Sequence, residues 1–249
     1  MHDGICYNLT MNPTTGKYSA FLAPLISLAF YAGLVVLWSL IEPNTLIALF
    51  DNDGHSPVEL MTLPLFALIA PLVWLCPPAG GSTKRQCLWA SIWSLLAAMA
   101  IIRQTDLHKL LFANIWPDIA STFHGTVYKM RFLKDGAYPM APKLFVLGFF
   151  GLFFAAVAIP LVRYIIPLAK GFFKRQTVAW TMATFGAVSV AVIIIDRVPA
   201  KLRKAGIDVS DSMIALMKVF EEGGEMLMAL LALLAILQSH MLFARRSAD

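Results

Sequence analysis

The sequence predicts an all-α polytopic membrane protein with about six transmembrane helices. Three observations support this fold class. The chain of 249 residues is 59% hydrophobic and has a mean hydropathy of +0.71, well above a soluble globular domain. Its apolar residues gather in stretches close to the roughly 20 residues that a helix needs to cross a bilayer. Backbone groups in lipid must bond within their own segment, so these stretches are predicted to be helices.

The predicted spans are separated by short connections, with one exception. The spans cover residues 18–41, 58–76, 87–102, 144–169, 178–195 and 219–243. We expect them to form a single integral membrane domain, residues 1–249. The long connection, 104–142, has apolar residues at helical spacing between Leu107 and Ile115, and Pro117 fits the first turn of a second helix. This connection is predicted to form one or two amphipathic helices on the membrane surface.

Acidic residues are distributed unequally between the two faces that alternate crossings create. All of them except Asp3 and Asp249 fall on one face. The short connections 77–86 and 171–177 on the other face carry Lys or Arg, whereas connection 44–57 on the acidic face carries neither. By the positive-inside rule, both termini are predicted to be cytoplasmic in the plasma membrane, which is the inner membrane of a bacterial cell. Ionised groups are costly at membrane depth, so the acidic face is the expected working surface.

Three glutamates near the start of the last predicted span are the sharpest candidate site. Glu225 lies four residues after Glu221 and three after Glu222, so the three lean toward one helix face and repel one another. A proton, a bound cation or a basic partner relieves that repulsion, and Lys218 lies one turn earlier. The two glycines between them cost a helix roughly 1–2 kcal/mol, which the close approach of a backbone or ligand would offset. A solvated helix start with a glycine packing seam is the alternative.

Two further polar groups are predicted on the same face. Arg103, Asp106 and His108 close the third span. Arg103 either pairs locally with Asp106 or answers the glutamates, in which case Asp106 and His108 supply ligands or a proton-transfer pair. Glu59 lies three residues after Ser56 where the second span begins, a pattern typical of a capping box. That local role competes with a role of Glu59 in the site.

These side chains predict a metal-dependent hydrolase or transferase that acts on a lipid-like substrate at the outer leaflet. Carboxylate and imidazole groups suit a divalent metal, and the candidate ligands are Glu59, His108, Glu221, Glu222 and Glu225. A bound metal would activate water against an ester or amide near the headgroups. The candidate catalytic residues are Arg103, which would orient an anionic group, Asp106, His108 and Glu225.

The set Glu59, Arg103-x-x-Asp106-x-His108 and Glu221-Glu222-x-x-Glu225 resembles the polar pattern of some small bacterial inner-membrane proteins. It is also similar, more distantly, to the ceramidase-like superfamily of intramembrane metal hydrolases. That resemblance implies a zinc site made of an acidic residue in an early span, an Asp with a His in a middle span, and late histidines. In this chain, glutamates stand where the late histidines are expected.

Two other function classes use the same residues differently. In an ion- or proton-coupled transporter or channel, the carboxylates would be protonation or cation sites. In a non-catalytic subunit of a membrane complex, the acidic face would dock a protein partner or a second copy of the chain. Membrane lipids surround the protein in every case. Nucleic-acid binding is not expected, because few basic clusters with interleaved aromatic residues lie outside the spans.

Overall fold

The computed structural model describes residues 20–51, 56–77, 83–105, 107–122 and 130–246. Within these residues every regular element is a helix, which confirms the all-α fold class. In chain order the helices are α1 (Leu22–Leu40), α2 (Pro43–Phe50), α3 (Pro57–Leu75), α4 (Thr83–Gln104), α5 (Leu107–Ile115), α6 (Pro117–Thr122), α7 (Met130–Lys134), α8 (Met140–Phe173), α9 (Thr177–Lys204) and α10 (Asp211–Arg246).

Among the described residues, four helices are long and apolar enough to cross a membrane. They are α1, α3, α9 and the Gln86–Gln104 part of α4, and each coincides with a predicted span. The other predicted spans, 144–169 and 219–243, lie within α8 and α10, which are continuous helices of 34 and 36 residues. Helices of that length extend roughly 50 Å, more than the thickness of the hydrocarbon layer. A total of six crossings stays a prediction, as does the side on which the termini lie.

The centre of the bundle is α10. It packs against α1, α2, α3 and α9, and its contact with α9 is the most extensive between any two of these helices. Leu227, Ala229, Leu231 and Ala232 are at most 1% exposed, so this helix is buried on several sides at once. A polar residue in this part of α10 is therefore placed inside the bundle rather than on its surface.

Apolar contacts fix the helices around α10 at successive levels. Near its N-terminal end, Val219 lies in a core cluster with Leu34 of α1 and Phe50 of α2. Farther along, Leu227 packs in a second cluster with Val188 of α9. Alanines of α4 and α10 allow a third cluster to form where α3, α4 and α10 meet. These contacts hold the N-terminal third of α10 close to the ends of α1, α2 and α4.

Short helices occupy the predicted amphipathic connection. The second of them, α6, begins at Pro117, the first-turn position that the sequence predicts. Phe112 of α5 and Phe132 of α7 are fully buried and pack with Val146 of α8. The Phe112 ring centroid also lies 5.2 Å from that of Trp116. This aromatic cluster attaches the connection to α8, whereas its position at the membrane surface stays a prediction.

Candidate functional site

Three glutamates of α10 lie inside the helix bundle. Glu221, Glu222 and Glu225 are 6%, 7% and 5% exposed, and we call them the buried glutamates. The helix begins at Asp211, well before the first of them. The alternative of a solvated helix start is therefore wrong. Because α10 is the central helix, its neighbours α1, α2, α3 and α9, together with the end of α4, determine what each carboxylate meets.

Arg103 near the C-terminal end of α4 pairs with Glu225. Its Nη2 atom lies 2.6 Å from Glu225 Oε1. The arginine side chain is 61% exposed, whereas the glutamate side chain is 6% exposed. Of the two alternatives for Arg103, pairing with the glutamates is the one that this contact supports, whereas the local pairing with Asp106 falls outside the described residues. The guanidinium therefore reaches from the outside of the bundle to a carboxylate within it.

Glu222 has a much weaker set of partners. Gln104, the residue after Arg103, donates from Nε2 to Glu222 Oε2 at 3.5 Å, which is at the long limit for a hydrogen bond. The described part of the chain gives Glu222 no ion pair with a lysine or arginine. Gln104 is itself 8% exposed and was missed by the sequence reasoning. Its position in the last turn of α4, directly after Arg103, is the one sequence feature that could have indicated it.

Lys218 bridges two carboxylates from different helices. Its Nζ atom lies 3.2 Å from Glu221 Oε2 and 3.2 Å from Asp51 Oδ2 at the end of α2. The predicted pairing of Lys218 with a glutamate one turn later is confirmed. Lys218 precedes the predicted span 219–243. Burial lowers the pKa of Lys218, but Glu221 and Asp51 together outweigh burial and hold its pKa above the ordinary value of 10.5.

Glu59 completes the predicted capping box at the start of α3. The Ser56 amide donates to Glu59 Oε2 at 2.9 Å, and the Glu59 amide donates to Ser56 Oγ at 3.1 Å. The Ser56 hydroxyl in turn donates to the carbonyl of Phe50 at 3.1 Å. Glu59 is also close enough to Glu222 and Glu225 to interact with them electrostatically. It therefore borders the buried glutamates while one of its oxygens holds the helix start.

Asp196 adds a carboxylate that the sequence placed just beyond a span. Helix α9 runs on to Lys204, so Asp196 lies within a helix. It interacts electrostatically with Arg103 and with two of the buried glutamates, Glu221 and Glu225. The surroundings of the glutamates thus draw acidic groups from α3 and α9 as well as from α10.

The two glycines between the glutamates are points of close contact. A Cβ atom on Gly223 would lie 2.5 Å from Leu34 Cδ1, and one on Gly224 would collide with Val192 Cγ2. The Gly224 position also faces Tyr31 Oη, which would lie 2.9 Å from the added carbon. That hydroxyl is buried and has no hydrogen-bond partner among the described residues. Side chains of α1 and α9 occupy the space. Of the alternative, the glycine packing seam is therefore confirmed, although the solvated helix start is not.

Two predicted site residues fall outside this description. Asp106 is not among the described residues, and of His108 only the backbone, within α5, is described. Their catalytic and ligand roles stay predictions. In the described ranges, no three His, Cys, Asp or Glu side chains are grouped so that they could hold a metal ion. The predicted metal-ligand set, which includes His108, stays a prediction for the same reason.

Among the residues that the structure describes, carboxylates outnumber cations around the buried glutamates. Glu59 and Asp196 act on them electrostatically, and Arg103 and Lys218 are the cations that contact them. In apolar surroundings, excess negative charge is costly unless protons or cations bind. The arrangement is therefore suited to reversible binding of a small positive species.

Comparisons with known proteins give no family for this chain. No protein-family model, no curated protein and no solved structure matches it. The resemblance to small bacterial inner-membrane proteins and to ceramidase-like hydrolases stays an expectation from the sequence.

Proposed function

We propose that the protein is a proton-coupled membrane transporter or channel in which the buried glutamates bind and release protons. The observation that carries this proposal is the position of Glu222. It is 7% exposed, it neighbours Glu221 and Glu225, and its described hydrogen bond is one long contact with Gln104. A buried charge without a counter-charge costs several kcal/mol. A proton on Glu222 removes that cost, and intramembrane carboxylates of this kind mark proton relays.

The packing around the glutamates favours a proton over a larger ligand. Leu34 lies against Gly223, and Val192 and Tyr31 lie against Gly224, so even an added methyl group would displace a neighbour at either glycine. A proton needs no cavity of its own. A divalent metal needs several ligands grouped around it, and the described side chains provide no such group.

The neighbouring glutamates support different roles in this proposal. Glu225 is held by Arg103 and Glu221 by Lys218, so each has a cation that stabilises its ionised form. Glu222 has no such cation among the described residues, and we therefore assign proton exchange to it. The Arg103 side chain, near Glu222, is 61% exposed. This exposure favours the entry of protons from the end of the bundle where Arg103 lies.

The other two function classes that the sequence predicts remain alternatives. The metal-dependent hydrolase or transferase would use the same glutamates together with Asp106 and His108. The non-catalytic subunit would use the acidic face as a docking surface. Neither class gains a specific contact from the described residues, whereas Glu222 supports proton exchange directly.

Proton movement in liposomes tests the proposal. Purified protein is reconstituted with a pH-sensitive dye inside, and a potassium diffusion potential supplies the driving force. We expect the wild type to acidify or alkalinise the lumen according to the sign of that potential, and Glu222→Gln to abolish the movement. Glu42→Gln is the matched control, because Glu42 is an exposed acidic residue outside the glutamate region.

The same preparation separates the rivals. A wild type that conducts no protons in either orientation contradicts the proposal. Equal fluxes for wild type and Glu222→Gln contradict the role of Glu222. A stoichiometric metal that is lost in Glu222→Gln, together with lipid hydrolysis, would favour the hydrolase instead.

A further inference from the structure

A second set of buried polar side chains, contributed by α9 and α10, lies beyond the apolar centre of the bundle. Thr181 of α9 and Gln238 of α10 are 0% and 9% exposed. Thr181 Oγ1 lies 2.7 Å from Gln238 Oε1. Gln238 is roughly 20 Å farther along the helix axis than Glu225. The stretch between them is lined by apolar residues such as Leu227 and Leu231.

The Thr181 hydroxyl has two acceptors but only one hydrogen atom. Its Oγ1 is 3.1 Å from the Thr177 carbonyl oxygen as well as 2.7 Å from Gln238 Oε1. When it donates to Gln238, the amide Nε2 of Gln238 has no partner among the described residues. When it donates to Thr177, the amide turns so that Nε2 donates to Thr181, and Oε1 is left instead. Oε1 then takes the position that Nε2 occupies in the first arrangement, where Nε2 has no partner among the described residues.

An unpaired amide atom is expensive at this position. Leaving a buried donor or acceptor unsatisfied costs about 1–3 kcal/mol, and a bilayer interior offers no bulk water as a substitute. The missing partner must donate in one arrangement and accept in the other. Water does both, and buried water bonded to otherwise unsatisfied polar groups is a regular part of protein interiors.

We propose that Thr181 and Gln238 bind water inside the bundle, and that this hydration site is a station on the proton route between the buried glutamates and the opposite end of α10. The hydration site stands on the hydrogen-bond geometry alone, whereas its place on a route rests on the proposed function. His240 Nδ1 is also buried without a partner in the described part of the chain. Polar groups therefore continue from Gln238 toward the end of α10 that the sequence predicts to be cytoplasmic.

Cysteine reactivity tests the hydration site without reference to transport. The native cysteines are replaced by alanine, and Thr181→Cys, which is close to isosteric, is alkylated with iodoacetamide and followed by mass spectrometry. Val188→Cys is the control, because Val188 is 5% exposed on the same helix and packs in the apolar cluster of Leu227. We expect alkylation at position 181 to be at least about tenfold faster, since the thiolate is the reactive species and apolar burial suppresses it.

The second arm asks whether Gln238 holds the water. Adding Gln238→Leu to Thr181→Cys is expected to slow alkylation to the rate of the Val188→Cys control. Thermal unfolding in detergent verifies that each variant is folded. Equal rates for the two single-cysteine proteins, or no effect of Gln238→Leu in a folded protein, would overturn the hydration site.

Proton flux tests the route. In the liposome assay, Gln238→Leu is expected to reduce flux at least about tenfold, equivalent to ~1.4 kcal/mol in the barrier. Gln238→Glu, whose carboxyl group can both donate and accept, is expected to restore most of it. A wild type without flux defeats the proposed function but leaves the alkylation result to decide hydration. Normal flux in Gln238→Leu, with a conducting wild type, defeats only the route.

Discussion

Arg103 and Glu225 form an ion pair with one partner outside the bundle and the other inside it. The two side chains approach to 2.6 Å, yet the arginine is 61% exposed and the glutamate 6% exposed. A charge left alone at an exposed position finds water or lipid headgroups, whereas a charge left alone in the interior does not. The two halves of this pair are therefore expected to respond very differently to removal.

Arg103→Gln is expected to lower the free energy of unfolding by about 3 kcal/mol, because it leaves Glu225 as a buried carboxylate without its cation. Glu225→Gln is expected to cost only about 1 kcal/mol, because the exposed arginine can be solvated. The double variant should be more stable than Arg103→Gln alone. Reversible unfolding in bicelles measures all three, and equal costs for the two single variants would contradict the asymmetry.

Glu222→Gln is expected to stabilise the protein by about 1 kcal/mol at a pH high enough to ionise Glu222. The amide keeps the shape of the side chain and a contact with Gln104, and it removes like-charge repulsion with Glu221 and Glu225. Thermal unfolding in detergent measures the change, and Glu42→Gln, at an exposed site, should stay within about 0.5 kcal/mol of wild type. A loss of stability in Glu222→Gln would show that Glu222 has a cationic partner.

The presence of Arg103 and the buried glutamates on the same face could be predicted because it depends only on parity, whereas their contact was one of two alternatives. Spans that alternate in direction bring the end of the third and the start of the sixth to the same face. The Ser56–Glu59 capping box could be predicted because its signal lies within four consecutive residues. Both inferences avoid any assumption about how the helices are rotated.

Neutral polar residues could not be assigned to the site in the same way. Tyr31, Gln104 and Gln238 are uncharged, so charge pairing gives no reason to place them at the site. Whether they face the interior of the bundle or lipid depends on the rotation of each helix about its axis, which packing determines. The number of membrane spans is also difficult to derive, because α8 and α10 exceed the length that a single crossing requires.

Gly224→Ala is expected to destabilise the protein by about 1–3 kcal/mol through overpacking. The added carbon would collide with Val192 Cγ2 and crowd Tyr31 Oη, so α9 or α1 must move. Gly186→Ala in α9 is the matched control, because nothing lies within 4 Å of the added carbon there. That control should gain up to about 1 kcal/mol from helix propensity. Unfolding measurements that give both variants the same sign would contradict the packing seam.

Lys218→Met is expected to lower stability by about 1–3 kcal/mol at neutral pH, because it removes the cation that Asp51 and Glu221 share. The folded-state pKa of Lys218 lies above the ordinary 10.5, so its contribution is complete below that pH and is lost as the pH rises through the raised value. The stability gap between wild type and variant should therefore stay constant from about pH 7 to 9 and narrow in stronger alkali.

A pH series of thermal unfolding in detergent measures this gap. Lys201→Met supplies the control, because Lys201 is exposed near the end of α9 and should show little difference at any pH. Both profiles must be compared at one ionic strength, since salt screens exposed charges more than buried ones. A gap that already closes between about pH 7 and 9 would mean that Asp51 and Glu221 do not hold the Lys218 ammonium.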